Sequence, residues 1–406
     1  MNCPLCDSPQ HLDVLQIPSL PSMVNRLATS EEAALHAPMG SMELVMCCAC
    51  GHLYNRVFVP EAVSYDTSYG NALHVSPTYR SYIWQLARML VRDHHWTHQT
   101  LLDIGCGQGY FLRLLCALGA NRGIGIDPAG NPATWSQTGK LGGELQIIQS
   151  EFAATSKDLP GQKVVCQHLI EHLNDPSDFL DMVGSGPERE EHHEMLIEVP
   201  NGLFTLRDNG FWDLIHEHVS YFTPGSILNW LGAAGYSIRL CRESYGKQFI
   251  TVIASRRKQG RPRVKKHFRR GTLQSLAYDF GRRYRTHLAQ WNIALKEWSE
   301  SGWRILVWGA GSKGSSFVNQ LKEPYRVEAL IDQNPDKQGQ YVPGTAHPIV
   351  NVDSVPPGDH LIILVMNHLY IREIHTLLQR SGLNALIVSV MEGPQMLPRA
   401  AIPALM

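Results

Sequence analysis

Long hydrophobic runs are missing from this 406-residue chain. No stretch reaches the length needed to cross a bilayer, and the opening MNCPLCDSPQ holds no basic region followed by an apolar one. The expectation is a cytoplasmic protein with no membrane partner. A charge bias is missing too: the formal net charge is -1 at pH 7 and 44% of residues are hydrophobic, which argues against a disordered chain and against wholesale binding of polyanions. Cysteine is scarce. Nine cysteines are too few for a disulfide scaffold, and five of them fall in the first fifty residues. The length suits two or three domains, each able to bury its own core.

Those early cysteines form two C-x-x-C turns, Cys3-Pro-Leu-Cys6 and Cys47-Cys48-Ala49-Cys50. A two-residue gap lets each turn present both sulfurs to one ion, and Gly51 permits the tight backbone that follows. Cys3, Cys6, Cys47 and Cys50 are therefore the expected ligands of a closed, structural zinc site, with Cys48 left over; buried thiols in a small β-unit are the rival reading. From Tyr65 the pattern is irregular, then helical in SPTYRSYIWQLARMLV, either a lid over a ligand or a helix packed on the next domain.

TLLDIGCGQGYFLRLL reads as an apolar strand, a glycine loop and a helix. Gly105, Gly107 and Gly109 allow close approach of a ligand, the helix start offers unpaired N–H groups, and the following strand GIGID ends in Asp127, placed to accept ribose hydroxyls. Further on, VVCQHLIEHLNDPSDFL and MLIEVPN each end a strand, and in a doubly wound sheet the residues just past Val165 and Val199 face the ligand. His168, Glu171 and His172 lie there. The basic stretch Arg256–Arg270 carries nine Lys and Arg residues. It reads as a solvated linker rather than a nucleic-acid contact, because no aromatic platform interleaves it. Leu273 to Trp298 repeats apolar residues at three- and four-residue steps, one long amphipathic helix. The last domain opens with RILVWGAGSKGSSFVNQL, a G-x-G-x-x-G turn, and VEALID closes in Asp332. Lys313 puts a point charge in that loop, which suits a phosphate.

The first loop, with Asp103 ahead of Gly105, resembles the S-adenosylmethionine loop of class I methyltransferases. In order along the chain, the paired C-x-x-C turns, DIGCGQG, IEHLNDP, IHEHVSYFT, GAGSKG and IDQNPDKQGQYVPGTAHPI resemble the C-methyltransferases of nucleotide-linked keto-deoxysugars. The resemblance implies an α/β protein: a class I methyltransferase Rossmann-like core, a small N-terminal zinc-binding unit and a C-terminal Rossmann-like domain. The expected divisions are 1–58 for the zinc unit, 59–255 for the core, 256–300 for the basic linker and helix, and 301–406 for a substrate-binding domain. It implies S-adenosyl-L-methionine held by Asp103, Gly105, Gly107, Gly109 and Asp127. It further implies catalysis by His218, Glu217 and His172, and a nucleotide sugar gripped through Lys313, Asp332 and Lys337. The family often carries a tyrosine where this chain has Ile215, so the holding of the ketone is expected to differ.

Carbon methylation needs a carbon nucleophile, and a C–H bond is acidic enough only beside a carbonyl. His218 is expected to take that proton, Glu217 to orient an imidazole and favour its charged form, and His172 to donate to the enolate oxygen. The histidines of His216-Glu217-His218 are two apart, not the H-E-x-x-H of a zinc protease. A hydrogen-bonded turn ahead of SYFTP, methylation of oxygen or nitrogen, and a nucleic-acid- or NAD-binding protein on the same architecture are the rival readings.

Overall fold

The computed structural model describes all residues except 71, 134–143, 154–155, 187, 190–191, 258–269 and 395–406, and the side chains of 257 and 270. Most of the basic stretch thus lies outside the described residues. Three sheets organise the rest.

The N-terminal sheet joins β1 (His11–Pro21), β2 (Met39–Cys47) and β3 (Leu53–Asn55) in antiparallel order. Its fourth strand, β9 (Ser220–Tyr221), comes from the middle of the chain. The HEH stretch is therefore pinned at its exit to the N-terminal unit. A short helix α1 (Glu31–Leu35) lies between β1 and β2.

The central sheet runs β10 (Tyr236–Ser244), β11 (Phe249–Arg257), β8 (His192–Pro200), β7 (Lys163–Gln167), β4 (Thr100–Ile104), β5 (Arg122–Ile126) and β6 (Glu144–Ile148). Its strands are parallel except β11, which pairs antiparallel with both neighbours. Counted along the chain within this sheet, the order is 3-2-1-4-5-7-6. The inner strands β4, β7 and β8 are almost wholly buried, because helices cover both faces of a parallel sheet. Flanking it are α2 (Pro77–Asp93), α3 (Tyr110–Gly119), α4 (Pro176–Gly184) and α6 (Pro224–Ala233), while α5 (Gly202–Arg207) joins the apolar cluster of the N-terminal sheet. Helix α2 sinks Ile83, Leu86, Ala87 and Leu90 against Leu112 and Leu115 of α3, so it packs on the core, while the residues before it border a cavity.

The long helix expected after the linker is α7 (Arg270–Glu300). It buries Leu273, Ala277, Phe280, Tyr284, Trp291, Leu295 and Trp298, and this stripe shares one apolar cluster with β1, β2 and the last domain. Gly281 lets the helix lie directly on β1, since a Cβ there would come within 2.1 Å of the Val14 carbonyl oxygen.

The C-terminal sheet is parallel, in the order β14 (Ile349–Val350), β13 (Ala329–Ile331), β12 (Arg304–Trp308), β15 (Leu361–Val365) and β16 (Leu386–Ser389), with α8 (Ser312–Gln320) and α9 (Ile371–Arg380) against it. The strand order reverses between β4 and β7 in the central sheet and between β12 and β15 here. Such switch points open a crevice at the carboxyl ends of strands. Among the described residues, no helix is long and apolar enough to cross a membrane.

Candidate active site

A cavity of about 240 Å³ lies between the ends of β7 and β8 and the crevice of the C-terminal sheet. His168, Glu171 and His172 reach it from the turn after β7, Pro200 from the end of β8, and Ile215 and His218 from the stretch before β9. Opposite them stand Gly309, Lys313, Asp332, Lys337 and Asn367 from the ends of β12, β13 and β15. Tyr69 and the segment up to Ser76 close one side. That segment is tied to the last domain: one carboxylate oxygen of Glu373 accepts from the Ser76 and Thr78 hydroxyls, each at 2.7 Å.

The residues assigned to the reaction do not behave alike. His218 and His172 meet edge to face, 4.7 Å between ring centroids, and both line the cavity. Burial pushes each imidazole below its usual pKa, His218 the more strongly, with His172 and His168 nearby adding to the effect. His218 is therefore held neutral, with a lone pair free to take a proton.

Glu217 corrects one expectation. Its carboxyl group touches neither imidazole; it accepts from the Tyr69 hydroxyl at 3.2 Å and is 1% exposed. Burial lifts it to about 8, so near neutral pH it holds its proton and cannot favour an imidazolium. What orients His172 is the Glu217 backbone: His172 Nδ1 lies 3.1 Å from that carbonyl oxygen and 2.8 Å from the Tyr65 hydroxyl. His216 turns the other way, its Nδ1 on the Ser41 carbonyl oxygen at 3.0 Å and its ring filling the space a Cβ at Gly40 would need. The stretch is a turn rather than a strand, and buried rather than solvated. Tyr221 closes it by donating to the Ile215 carbonyl oxygen and accepting from the Ile215 amide, both at 2.9 Å, and Thr223 then caps α6.

The glycine loops show one geometry twice. Asp127 accepts from the Gly107 amide at 2.8 Å and from Ala129 at 2.7 Å. Asp332 accepts from the Ala310 amide and from Asn334, both at 2.9 Å. Gly105, Gly107 and Gly109 all have positive φ, and Gly109 opens α3; at Gly314 a Cβ would sit 2.0 Å from the Gly309 carbonyl oxygen. The first turn thus needs glycine for its backbone angles, and the second needs it at Gly314 for close approach. Asp103, 3% exposed on β4, is raised to about 8 by burial and then by Asp127. None of Asp103, Gly105, Gly107, Gly109 and Asp127 borders the cavity. Leu169, 3.2 Å from a Cβ built on Gly105, stands beside the loop in the same turn that sends His168 and His172 into the cavity.

Lys313 pairs with Asp213 at 2.8 Å and donates to the Gln248 side chain at 2.8 Å. Lys337 donates to the Ala310 carbonyl oxygen at 3.1 Å, and burial lowers its pKa. Pattern reading missed Tyr65 and Tyr69, which lie in an irregular segment and reach the site only through the fold. It also left His168 aside. That residue adopts a left-handed φ of 51° and stands 3.6 Å from the carboxylates of both Glu171 and Glu198; burial opposes its charge, but the two carboxylates prevail and lift it to about 9.

At the other end of the molecule the sulfurs of Cys3, Cys6, Cys47 and Cys50 all lie within 4.8 Å of one another, with Cys3 to Cys50 and Cys6 to Cys47 both at 3.6 Å. Tetrahedral thiolates at about 2.3 Å from one ion stand about 3.8 Å apart, so the cluster matches a four-sulfur site.

Residues 77–240 match the methyltransferase domain family, and residues 252–384 match the C-methyltransferase C-terminal domain. The C-methyltransferase NovU of Streptomyces niveus is 23% identical over 396 residues, which are 90% of each chain. Among solved structures, the 1,6-didemethyltoxoflavin-N1-methyltransferase of Burkholderia thailandensis is 14% identical, with a TM-score of 0.35 over 52% of this chain and 97% of its own. The plantazolicin methyltransferase BpumL is 12% identical, with a TM-score of 0.35 over 46% and 87%. A methyltransferase domain followed by the C-methyltransferase C-terminal domain, with a C-methyltransferase similar along most of the chain, supports an S-adenosylmethionine-dependent methyltransferase.

Proposed function

We propose that this methyltransferase acts on a nucleotide-linked keto-deoxysugar, methylating the carbon alpha to the ketone. One observation carries the reading: a single cavity brings the paired imidazoles of His172 and His218 to face the phosphate-type loop of the second Rossmann unit, with Lys313, Lys337 and Asp332. A ligand with a sugar at one end and a nucleoside diphosphate at the other matches that division of chemistry. S-adenosylmethionine, for which the Asp127 and glycine-loop cradle is the fitting place, supplies an electrophilic methyl group when bound.

His218 accepts the alpha proton through its free ring nitrogen, and its buried position keeps it unprotonated until the substrate arrives. The Tyr65 hydroxyl donates to His172 Nδ1, which puts that ring's hydrogen on Nε2, where it stabilises the developing enolate oxygen. Lys313 exchanges Asp213 for a phosphate oxygen, and Lys337 steadies the loop that holds the diphosphate. Ile215 adds only apolar surface, and the phenols that line the cavity are those of Tyr69, Tyr245 and Tyr370. The four-cysteine cluster holds a structural zinc ion, which ties the N-terminus to β2 and, through the N-terminal sheet, to the catalytic turn ahead of β9.

The experiment is incubation with labelled S-adenosylmethionine and a panel of nucleotide keto-sugars, following both methyl incorporation and loss of isotope from the acceptor carbon. Loss of the alpha hydrogen with methylation supports the reading. Methylation that keeps it assigns the methyl to oxygen or nitrogen.

A further inference from the structure

One cluster on the cavity wall has more donors than the proposed reaction uses. Glu171 is 1% exposed at the turn after β7; one of its carboxylate oxygens faces His168, and the other, Oε2, is buried without a hydrogen-bond partner. His218 Nδ1 is likewise buried and unpartnered. A buried carboxylate oxygen and a buried ring nitrogen left unsatisfied each carry a desolvation cost, and such groups call for a missing partner. Glu171 and His218 line the same cavity, and one ligating atom each from Glu171, His172 and His218 lies within 4.8 Å of the other two.

Two imidazoles and a carboxylate are a donor set for a divalent transition-metal ion of borderline softness. The surroundings match. Nδ1 of His172 has a backbone carbonyl, that of Glu217, at 3.1 Å, which is how ligating histidines are held with Nε2 turned to the metal. On the open side is the cavity, which leaves room for a further ligand.

We propose that Glu171, His172 and His218 form a three-ligand site for a divalent transition-metal ion such as Zn²⁺ or Co²⁺, and that filling this site shuts off methyl transfer. The second half rests on the function proposed above. His172 has two neutral tautomers. With Tyr65 donating to Nδ1, the hydrogen sits on Nε2 and the ring can serve an enolate oxygen; with Nδ1–H given to the Glu217 carbonyl, Nε2 carries a lone pair and can bind a metal. One ring cannot do both, and a metal on His218 removes the base at the same time.

The test is a titration of the full-length protein, its cysteine cluster already loaded with zinc, with Co²⁺ alone, read by calorimetry and visible absorption. One further equivalent is expected, with the weak bands of nitrogen and oxygen ligation and no thiolate charge-transfer band. Glu171→Gln should weaken it by at least about 100-fold while still binding S-adenosylmethionine, which shows that it folds. His216→Gln, outside the cluster, should bind as the parent does. Turnover should fall as that equivalent binds and return on chelation. Absence of the equivalent, its survival in Glu171→Gln, or full turnover with it bound overturns the proposal. The two readings fail separately: carbon methylation without a second equivalent removes only the metal site, and a second equivalent in a protein inactive on every keto-sugar removes only the substrate assignment.

Discussion

Replacing Asp103 by Asn tests how the cofactor strand tolerates its own acid. Asp103 lies at the end of β4 with 3% exposure, and burial first, then Asp127, raises its pKa to about 8. In the unfolded chain the same group titrates near the ordinary value of about 3.9. Between those two values this group binds one proton more in the folded protein than in the unfolded one, so its contribution to stability is greatest below about pH 4, falls as pH rises, and levels off above about 8. The full difference is about 4 units, or about 6 kcal/mol. Asn has the shape of the protonated acid and cannot ionise. Asp103→Asn should therefore match the parent near pH 4 and gain steadily on it up to about pH 8, by several kcal/mol in denaturant titrations run at a series of pH values. Groups that do not interact with Asp103 cancel in the difference, which leaves its neighbour Asp127 to add to it. A difference that does not change with pH, or one that shrinks as pH rises, would refute the reasoning.

Tyr65→Phe removes the hydroxyl 2.8 Å from His172 Nδ1 and should lower kcat about tenfold, roughly 1.4 kcal/mol in the transition state, with S-adenosylmethionine affinity unchanged by calorimetry. Lys313→Met should raise KM for the nucleotide-linked substrate more than it lowers kcat, since the lost group faces the cavity beside Asp213 rather than the reacting carbon. Cys47→Ser should carry less zinc than the parent in elemental analysis and lower the midpoint of thermal unfolding, because the cluster joins the N-terminus to β2.

The parts of the molecule legible from residue order are those set by local chemistry. Gly105, Gly107 and Gly109 need backbone angles that other residues avoid, and each indeed has positive φ; the apolar rhythm of α7 appears in its buried stripe. The C-x-x-C spacing likewise announced a cluster whose sulfurs converge. What stayed hidden depends on contacts distant in sequence. Tyr65 and His172 are 107 positions apart, Tyr69 and Glu217 148, and no periodicity brings either pair together. Glu217 looked like the partner of an imidazole because it is flanked by two, yet a turn sends the three side chains in different directions: His216 to Ser41, Glu217 to Tyr69 and His218 to the cavity. The position of His168 at the ligand end of β7 is legible in the sequence, but its charge is not, because the second of its two carboxylate neighbours, Glu198, comes from the adjacent strand β8.

The central claim is that the neutral His218 breaks a carbon–hydrogen bond next to a ketone. The most direct measurement is exchange of the alpha hydrogen of a nucleotide keto-sugar into deuterated water, followed by magnetic resonance with S-adenosylhomocysteine in place of the methyl donor. The wild-type protein should wash in deuterium at the carbon that is otherwise methylated, and His218→Ala, still binding S-adenosylhomocysteine, should slow the exchange by about 10²–10⁴-fold. Equal exchange in the two proteins would contradict the assignment.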